Sequence, residues 1–321
     1  MKYRKLGKYG VKISVLGLGS YLNIAHKVDN HTSELLIRTA IQNGVNLIDT
    51  AACYGEADRR GLKGQVEEFL GRILNDYRRE EQFIMTKLRW DIGPSVNDSG
   101  LTVKHLQEGC EGCLKRLRTD HLDVLLCHRP DADTPLEETV IAMGRLMNQG
   151  KILYWGVSEW TPEQIKQANQ IAKEHGVMPI AITQNRYNLC YRNIESELIP
   201  SVVSDGIGIV TYAALANGIL TGKYGKDGVI PDNTRAADNS VNSFMIQNYF
   251  TKDNLEQAQR YVQIAYDLNI TPAQLAVAWC LHNPSVSGVI LGATKVTQLE
   301  ETLKAADIIL DDEILEALNQ E

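Results

Sequence analysis

Short apolar runs rich in Val, Ile and Leu alternate along this chain with longer segments of helical period, from its first fifth to its last tenth. The runs lie at 15–19, 45–49, 82–87, 122–128, 152–158, 180–184, 207–212 and 288–292. Most are continuously apolar rather than alternating, as expected of parallel strands buried on both faces. Between them, three segments open on a Thr-Pro pair with an acid or amide three residues after the threonine: Thr134 to Glu137, Thr161 to Gln164 and Thr271 to Gln274. Each reads as a capping box with proline at the first helical position. In the helix opened by Thr134, residues Leu136, Val140, Met143 and Met147 share one stripe, and Gly150 suits the C-terminal cap.

Eight such units predict a closed (β/α)8 TIM barrel, a single domain over residues 1–321. An open doubly wound sheet is the rival. It would call for G-x-G-x-x-G after its first strand, whereas Gly17 and Gly19 are followed by Ser20 and Tyr21 with no third glycine. The residues ahead of the first run predict a β-hairpin around Tyr9 and Gly10. The segment 217–250, rich in Gly, Asp, Asn and Lys, interrupts the alternation and predicts a long functional or mobile loop after the seventh barrel strand.

Composition narrows the function. With 33 basic against 40 acidic residues the net charge is −7, so a broad footprint for nucleic acid is not expected, although local basic residues could hold one phosphate. No apolar run approaches the roughly 18–20 residues of a membrane span, so no integral membrane segment is expected. The basic start has a short apolar stretch broken by glycines and no small-residue cleavage site, and six scattered cysteines lack the density of a disulfide scaffold; both readings point to the cytoplasm.

Polar side chains close the strand runs in order: Asp49, Lys87, His128, Ser158, Gln184 and Tyr212. A barrel brings all strand C-terminal ends to one face, so these residues would line one pocket. Tyr54, five residues past Asp49, could reach it. A phenol is a poor acid at neutral pH unless a cation stabilises its anion; Lys87 is the candidate cation and Asp49 the group that keeps it charged. His128 alone would read as a satisfied core histidine. No H-x-x-x-H or tight His/Cys/Asp cluster suggests a metal. Cys110 and Cys113 have redox spacing but lie inside a helical pattern, where packing suffices, and Cys53 reads as a small filler or an oxidation-sensitive neighbour of the pocket.

Taken together, LGLGSY (16–21), IDTAACYG (48–55), TK (86–87), HRPDADTPLEETV (128–140), YWGVSEW (154–160), GILTGKY (218–224), PAQLAVAWCL (272–281) and VILGATKVTQLEET (289–302) resemble the aldo-keto reductase superfamily, most closely the group containing potassium-channel β-subunits. The resemblance implies a barrel enzyme in which NADPH reduces a small-molecule carbonyl substrate, with a catalytic tetrad of Asp49, Tyr54, Lys87 and His128. Tyr54 would be the general acid and His128 would orient the carbonyl oxygen, at a position that is commonly asparagine in channel β-subunits. The same mapping puts the nicotinamide against Ser158 and Gln184 with Tyr212 stacked on it, near Ser20, Tyr21 and Asp49. The pyrophosphate would run along Ala213, Leu215 and Gly218 under Lys223 and Arg235, and the adenosine end would meet Gly292, Thr294, Lys295, Gln298 and Glu301. Lys295 and Arg235 would favour NADPH over NADH.

The chain departs from the family pattern at Glu159, where asparagine is frequent, at Ala213-Ala214, where Ser-Pro is usual, at Thr302, and in a longer segment 56–65 expected to shape substrate choice. Two other functions stay open: a nicotinamide-binding regulatory subunit of a membrane channel, and a barrel lyase or isomerase without nicotinamide. A homo-oligomer, a tetramer by resemblance, is a further expectation.

Overall fold

A computed structural model describes residues 1–56, 59–232, 234–237 and 249–319. The chain opens with an antiparallel hairpin, β1 (Tyr3–Lys5) and β2 (Lys12–Ser14), with Tyr3 opposite Ser14. Eight parallel strands follow: β3 (Leu16–Gly19), β4 (Leu47–Asp49), β5 (Phe83–Leu88), β6 (Leu122–Cys127), β7 (Ile152–Ser158), β8 (Ile182–Arg186), β9 (Gly208–Tyr212) and β10 (Val286–Leu291). Each pairs with the next, and β10 returns to β3, closing the barrel. All eight expected strands are present, and the doubly wound alternative is excluded by the closure. β8 runs two residues beyond Gln184 because Asn185 and Arg186 stay in register with Thr211 and Tyr212.

The helices are α1 (Asn30–Gln42), α2 (Gln65–Leu74), α3 (Val103–Leu117), α4 (Leu136–Asn148), α5 (Pro162–Glu174), α6 (Leu198–Ser204), α7 (Lys252–Asp267), α8 (Pro272–His282), α9 (Val296–Leu303) and α10 (Asp312–Asn319). Capping boxes form at Thr161 and Thr271 as expected. The one expected at Thr134 does not. Pro135 has ψ 130°, the helix starts at Leu136, and the Thr134 hydroxyl donates to Asp131 at 2.7 Å. A nearby carboxylate accepts a hydrogen bond more strongly than a neutral oxygen does, so Asp131 takes that hydroxyl into the loop after β6.

Cys110 and Cys113 lie buried in α3, and all six cysteines are free thiols. α2 and α3 are joined by a buried pair in which Arg116 Nε donates to Glu67 at 2.7 Å, while Thr86 of β5 donates to the other carboxylate oxygen at 2.6 Å. Among the described residues no helix is long and apolar enough to cross a membrane. In the segment after β9, short 3-10 turns occupy Ala216–Thr221 and Arg235–Ala237; residues 233 and 238–248 of the expected long loop, and Ala57 and Asp58 of the 56–65 segment, lie outside the described residues.

The barrel interior is filled from below. Leu6 and Ile13, carried by the hairpin, join Leu47, Phe83, Met85, Val124, Leu126, Ile182, Val210 and Ile290 in one buried cluster. The hairpin can seat there because Gly7 has φ +55° and lies so close to the turn before β9 that a Cβ would come within 2.3 Å of the Gly206 carbonyl. Lys8 N–H donates to that same carbonyl at 2.8 Å. The N-terminal mouth is thereby closed, which leaves the C-terminal mouth for chemistry. Leu6, fully buried in this plug, should cost about 2–5 kcal/mol when cut to alanine. Urea unfolding of Leu6→Ala checks this, and an unchanged midpoint would show that the hairpin is not a structural floor.

Candidate active site

The C-terminal mouth is organised around one carboxylate. Asp49 ends β4, and its Oδ1 accepts from Lys87 Nζ of β5 at 2.7 Å and from Gln184 Nε2 of β8 at 2.8 Å. One oxygen therefore ties together three strands, two of them adjacent and one across the barrel. Lys87 is fully buried and donates a second bond, 2.7 Å, to the Thr50 carbonyl. Burial lowers the Lys87 pKa, and Asp49 acts in the opposite direction. An ammonium in such a place is tolerable only with a partner this close.

Tyr54 follows in the turn after β4, where its N–H donates to the Ala51 carbonyl and Ala52 N–H donates to the Lys87 carbonyl. Lys87 Nζ stands 5.3 Å from the centre of the phenol ring. Even beside Lys87 the resting phenol is not acidic. Burial first, and then the charge of Asp49, push the Tyr54 pKa well above 10, so the hydroxyl holds its proton through the physiological range. The carboxylate that keeps Lys87 charged thus also disfavours ionisation of the phenol.

His128 is the first residue after β6 and is buried, with its N–H donating to the Leu88 carbonyl at 2.9 Å. Burial, then the neighbouring cations Lys87 and Arg129, push its pKa down to about 2, so the imidazole is neutral. Its Nδ1 lies 3.9 Å from Cys53 Sγ, whose pKa burial pushes up to about 11. Cys53 therefore keeps its proton beside Nδ1, a contact that suits the tautomer with the ring proton on Nε2. Around the imidazole stand Tyr54 (ring centres 5.9 Å apart) and Trp90 (6.3 Å), with Tyr21 5.0 Å beyond Tyr54. Aromatic edges thus wall the pocket.

Beside this group, Ser158 and Tyr212 are joined by a residue that the sequence reading passed over. Arg129 Nη1 donates to Ser158 Oγ at 2.9 Å and to the His128 carbonyl at 2.7 Å, and Nη2 donates to the Tyr212 hydroxyl at 3.3 Å. Glu159, at φ +57°, also hydrogen-bonds Tyr212, and its carboxylate accepts from the Arg186 N–H at 2.6 Å. Ser20 donates from both N–H and hydroxyl to the Asp49 carbonyl, each at 3.0 Å. Tyr21 is half exposed, with Arg129 and Arg235 both within electrostatic reach of its phenol.

A second group surrounds the turn after β9. Ala213, Ala216, Asn217 and Gly218 all have positive φ, and Leu215 is the residue whose carbonyl accepts from the Gly218 N–H. A Cβ at Gly218 would meet Lys223 Cε at 2.6 Å, so only glycine lets that lysine lie across the turn. Arg235 Nη1 donates to Asn217 Oδ1 at 2.6 Å, and the buried Asn217 Nδ2 has no acceptor among the described residues. An orphaned donor, two cations and a glycine cradle together suit an anionic group such as a pyrophosphate.

The third group sits where α9 begins. Thr294 donates from N–H and hydroxyl to Gln298 Oε1, each at 3.0 Å, Lys295 is the exposed N-cap, and Gly292 lies against Asn23. Glu301 is half-buried, with its carbonyl accepting from Gln274 Nε2. Thr302 is spent on the Gln298 carbonyl at 2.7 Å. The longer segment after Tyr54 docks on the loop after β5: Lys63 N–H donates to the Ile92 carbonyl and Lys63 Nζ to Asp91, 2.9 and 2.6 Å. This raises one rim of the pocket.

The structure therefore gathers the four expected tetrad residues with Ser20, Tyr21, Ser158, Gln184 and Tyr212, and the remaining expected cofactor residues lie in two further groups. Arg129 and Trp90 are the members whose place in the site sequence reasoning missed, while Cys53 stands beside the pocket as expected. No spacing marks them, since Arg129 and Trp90 lie just past strand ends where solvent-facing side chains are common.

The chain is similar to known proteins over nearly its whole length. Residues 15–320 match the family described as the aldo/keto reductase family. The chain is 39% identical over 312 residues to a probable voltage-gated potassium channel subunit beta of Arabidopsis thaliana, and to the same extent to one of Oryza sativa subsp. japonica. Each match spans 96% of this chain and 92% of the relative. With the barrel closed around these strand-end residues and the match running almost end to end, the chain belongs to the aldo/keto reductase family.

Proposed function

We propose that this protein is an NADPH-dependent oxidoreductase that reduces aldehydes or ketones to alcohols, with Tyr54 as the general acid. The observation that carries the reading is a protonated phenol and a neutral imidazole side by side at the barrel mouth, backed by a buried Lys–Asp pair. Bound NADPH would supply a hydride to the carbonyl carbon. Everything else falls to side chains of the chain itself. His128 Nε2–H donates to the carbonyl oxygen and orients it. As charge builds on that oxygen Tyr54 gives up its proton, the alcohol leaves, and the phenolate is reprotonated from water. Lys87 has no need to acidify the resting phenol; 5.3 Å from the ring, it stabilises the phenolate when it forms.

The residues present fit the cofactor. Ser158 accepts from Arg129 and keeps its own hydroxyl proton to donate, while Gln184 spends its amide on Asp49 and keeps its carbonyl free to accept. That pair matches a carboxamide, which offers one acceptor and one donor group. Tyr212 would stack on the ring. Ala213, Leu215 and Gly218 with Lys223 and Arg235 would hold the pyrophosphate, and Gly292, Thr294, Lys295, Gln298 and Glu301 the adenosine end. Free thiols at all six cysteines support a reducing, cytoplasmic setting.

A second reading has support in the names of the relatives, which are channel subunits: a nicotinamide-binding regulatory subunit of a membrane channel with little catalytic activity. Tight cofactor binding with no turnover on any carbonyl, plus a copurifying membrane partner, would favour it.

Two experiments test the first reading. Tyr54→Phe should bind NADPH as the wild type does and lose about 10²–10⁴-fold in kcat on small aldehydes, followed by NADPH absorbance; undiminished turnover would sink the mechanism. The second concerns His128. Its folded pKa of about 2 lies below the ordinary 6.5, so the unfolded chain takes up a proton that the folded one refuses as pH falls below 6.5. Its contribution to stability is present above that pH and is lost toward about 2. The melting temperature of His128→Asn should accordingly fall less between pH 7 and pH 5 than that of the wild type.

A further inference from the structure

Arg129 stands between the two residues expected to hold the nicotinamide. Its guanidinium is half-buried and fixed at three points, on Ser158, on the His128 carbonyl and on Tyr212. It is turned inward, since its charge bears on Lys87, His128, Tyr212 and Tyr21 alike. Of the two nearby cations, Lys87 is neutralised at 2.7 Å by Asp49. Arg129 has instead only neutral oxygens at these three points. The opposing charge is Glu159, on the far side of the Tyr212 hydroxyl, which both residues bond. Beyond Glu159, the Arg186 guanidinium is turned onto the Tyr191 ring, 3.6 Å from its centre.

The two forms of nicotinamide differ by one charge at the ring: the oxidised ring is a cation and the reduced ring is neutral. A fixed cation beside the ring therefore acts on one form and barely on the other, and in a half-buried site it is weakly screened. We propose that Arg129 is a positioning residue that sets which redox form the pocket holds, disfavouring the oxidised ring, while Glu159 acts in the opposite sense. This rests on the nicotinamide reading of the site. It gives the pocket a direction: the reduced cofactor is retained, and after the carbonyl is reduced the oxidised cofactor is the form released. Serine and tyrosine alone would position the ring without that bias.

The test is equilibrium binding of NADP+ and of NADPH, by protein fluorescence, to the full chain and to R129Q, R129K and E159Q. The ratio Kd(NADP+)/Kd(NADPH) should fall about three- to tenfold in R129Q, stay near the wild-type value in R129K and rise in E159Q. A guanidinium that served only to brace Ser158 and Tyr212 would weaken both forms equally on removal. Parallel loss in R129Q, or a ratio that moves the same way in R129Q and E159Q, overturns the inference and leaves the cofactor reading standing. A wild-type chain that binds neither form overturns the cofactor reading itself, and this inference with it.

Discussion

The hydrogen bonds on a single oxygen of Asp49 hold the barrel mouth in place. A carboxylate there is costly unless it is saturated with donors, and it receives an ammonium from β5 and an amide from β8. Those donors are equally dependent on it: Lys87 is fully buried and would be driven toward the neutral amine without its partner. Removing either member would leave the other as an uncompensated buried charge, which is far worse than losing a surface pair. The arrangement thus stabilises a geometry more than a fold, and that geometry fixes where the Gln184 carbonyl stands.

The same burial that makes this pair mutually dependent decides where the protons are. Tyr54 and His128 are shifted in opposite senses, the acid upward and the base downward, because desolvation penalises whichever form is charged. Both groups are therefore neutral and both carry a transferable or donatable hydrogen. Cys53 extends the pattern one residue outward by keeping its thiol proton beside Nδ1. The site at rest is uncharged where a neutral carbonyl would sit, and its compensated charges lie behind. Such a site holds its response in reserve for charge that develops during reaction.

The barrel was legible in the sequence because strands buried on both faces must read as continuous apolar runs, and eight of them punctuated by helices leave few arrangements. That Asp49, Tyr54, Lys87 and His128 would meet was legible because a barrel converts strand-end position into a shared location. What stayed hidden has a common cause. Arg129 bonds Ser158 and Tyr212, 29 and 83 residues away, and Cys53 meets an imidazole 75 residues away. Neither partnership has a local pattern. The misread cap at Thr134 shows the converse: a sound local signal gave way to Asp131, which claimed the hydroxyl first.

Selectivity in this architecture has to come from parts that the barrel does not dictate. The strands set the tetrad to within hydrogen-bond tolerance whatever loops they carry, so a change of substrate must be written in Tyr21, Trp90 and the docked segment around Lys63. That segment is held to the loop after β5 by a backbone bond and an exposed ion pair with Asp91. An exposed pair contributes little to stability, and a backbone bond at a rim is readily exchanged for water. This wall of the pocket is therefore among the least firmly held parts near the site, while Asp49, Lys87 and Gln184 behind it are tied by buried hydrogen bonds. A pocket built this way can change what it admits without disturbing what it does.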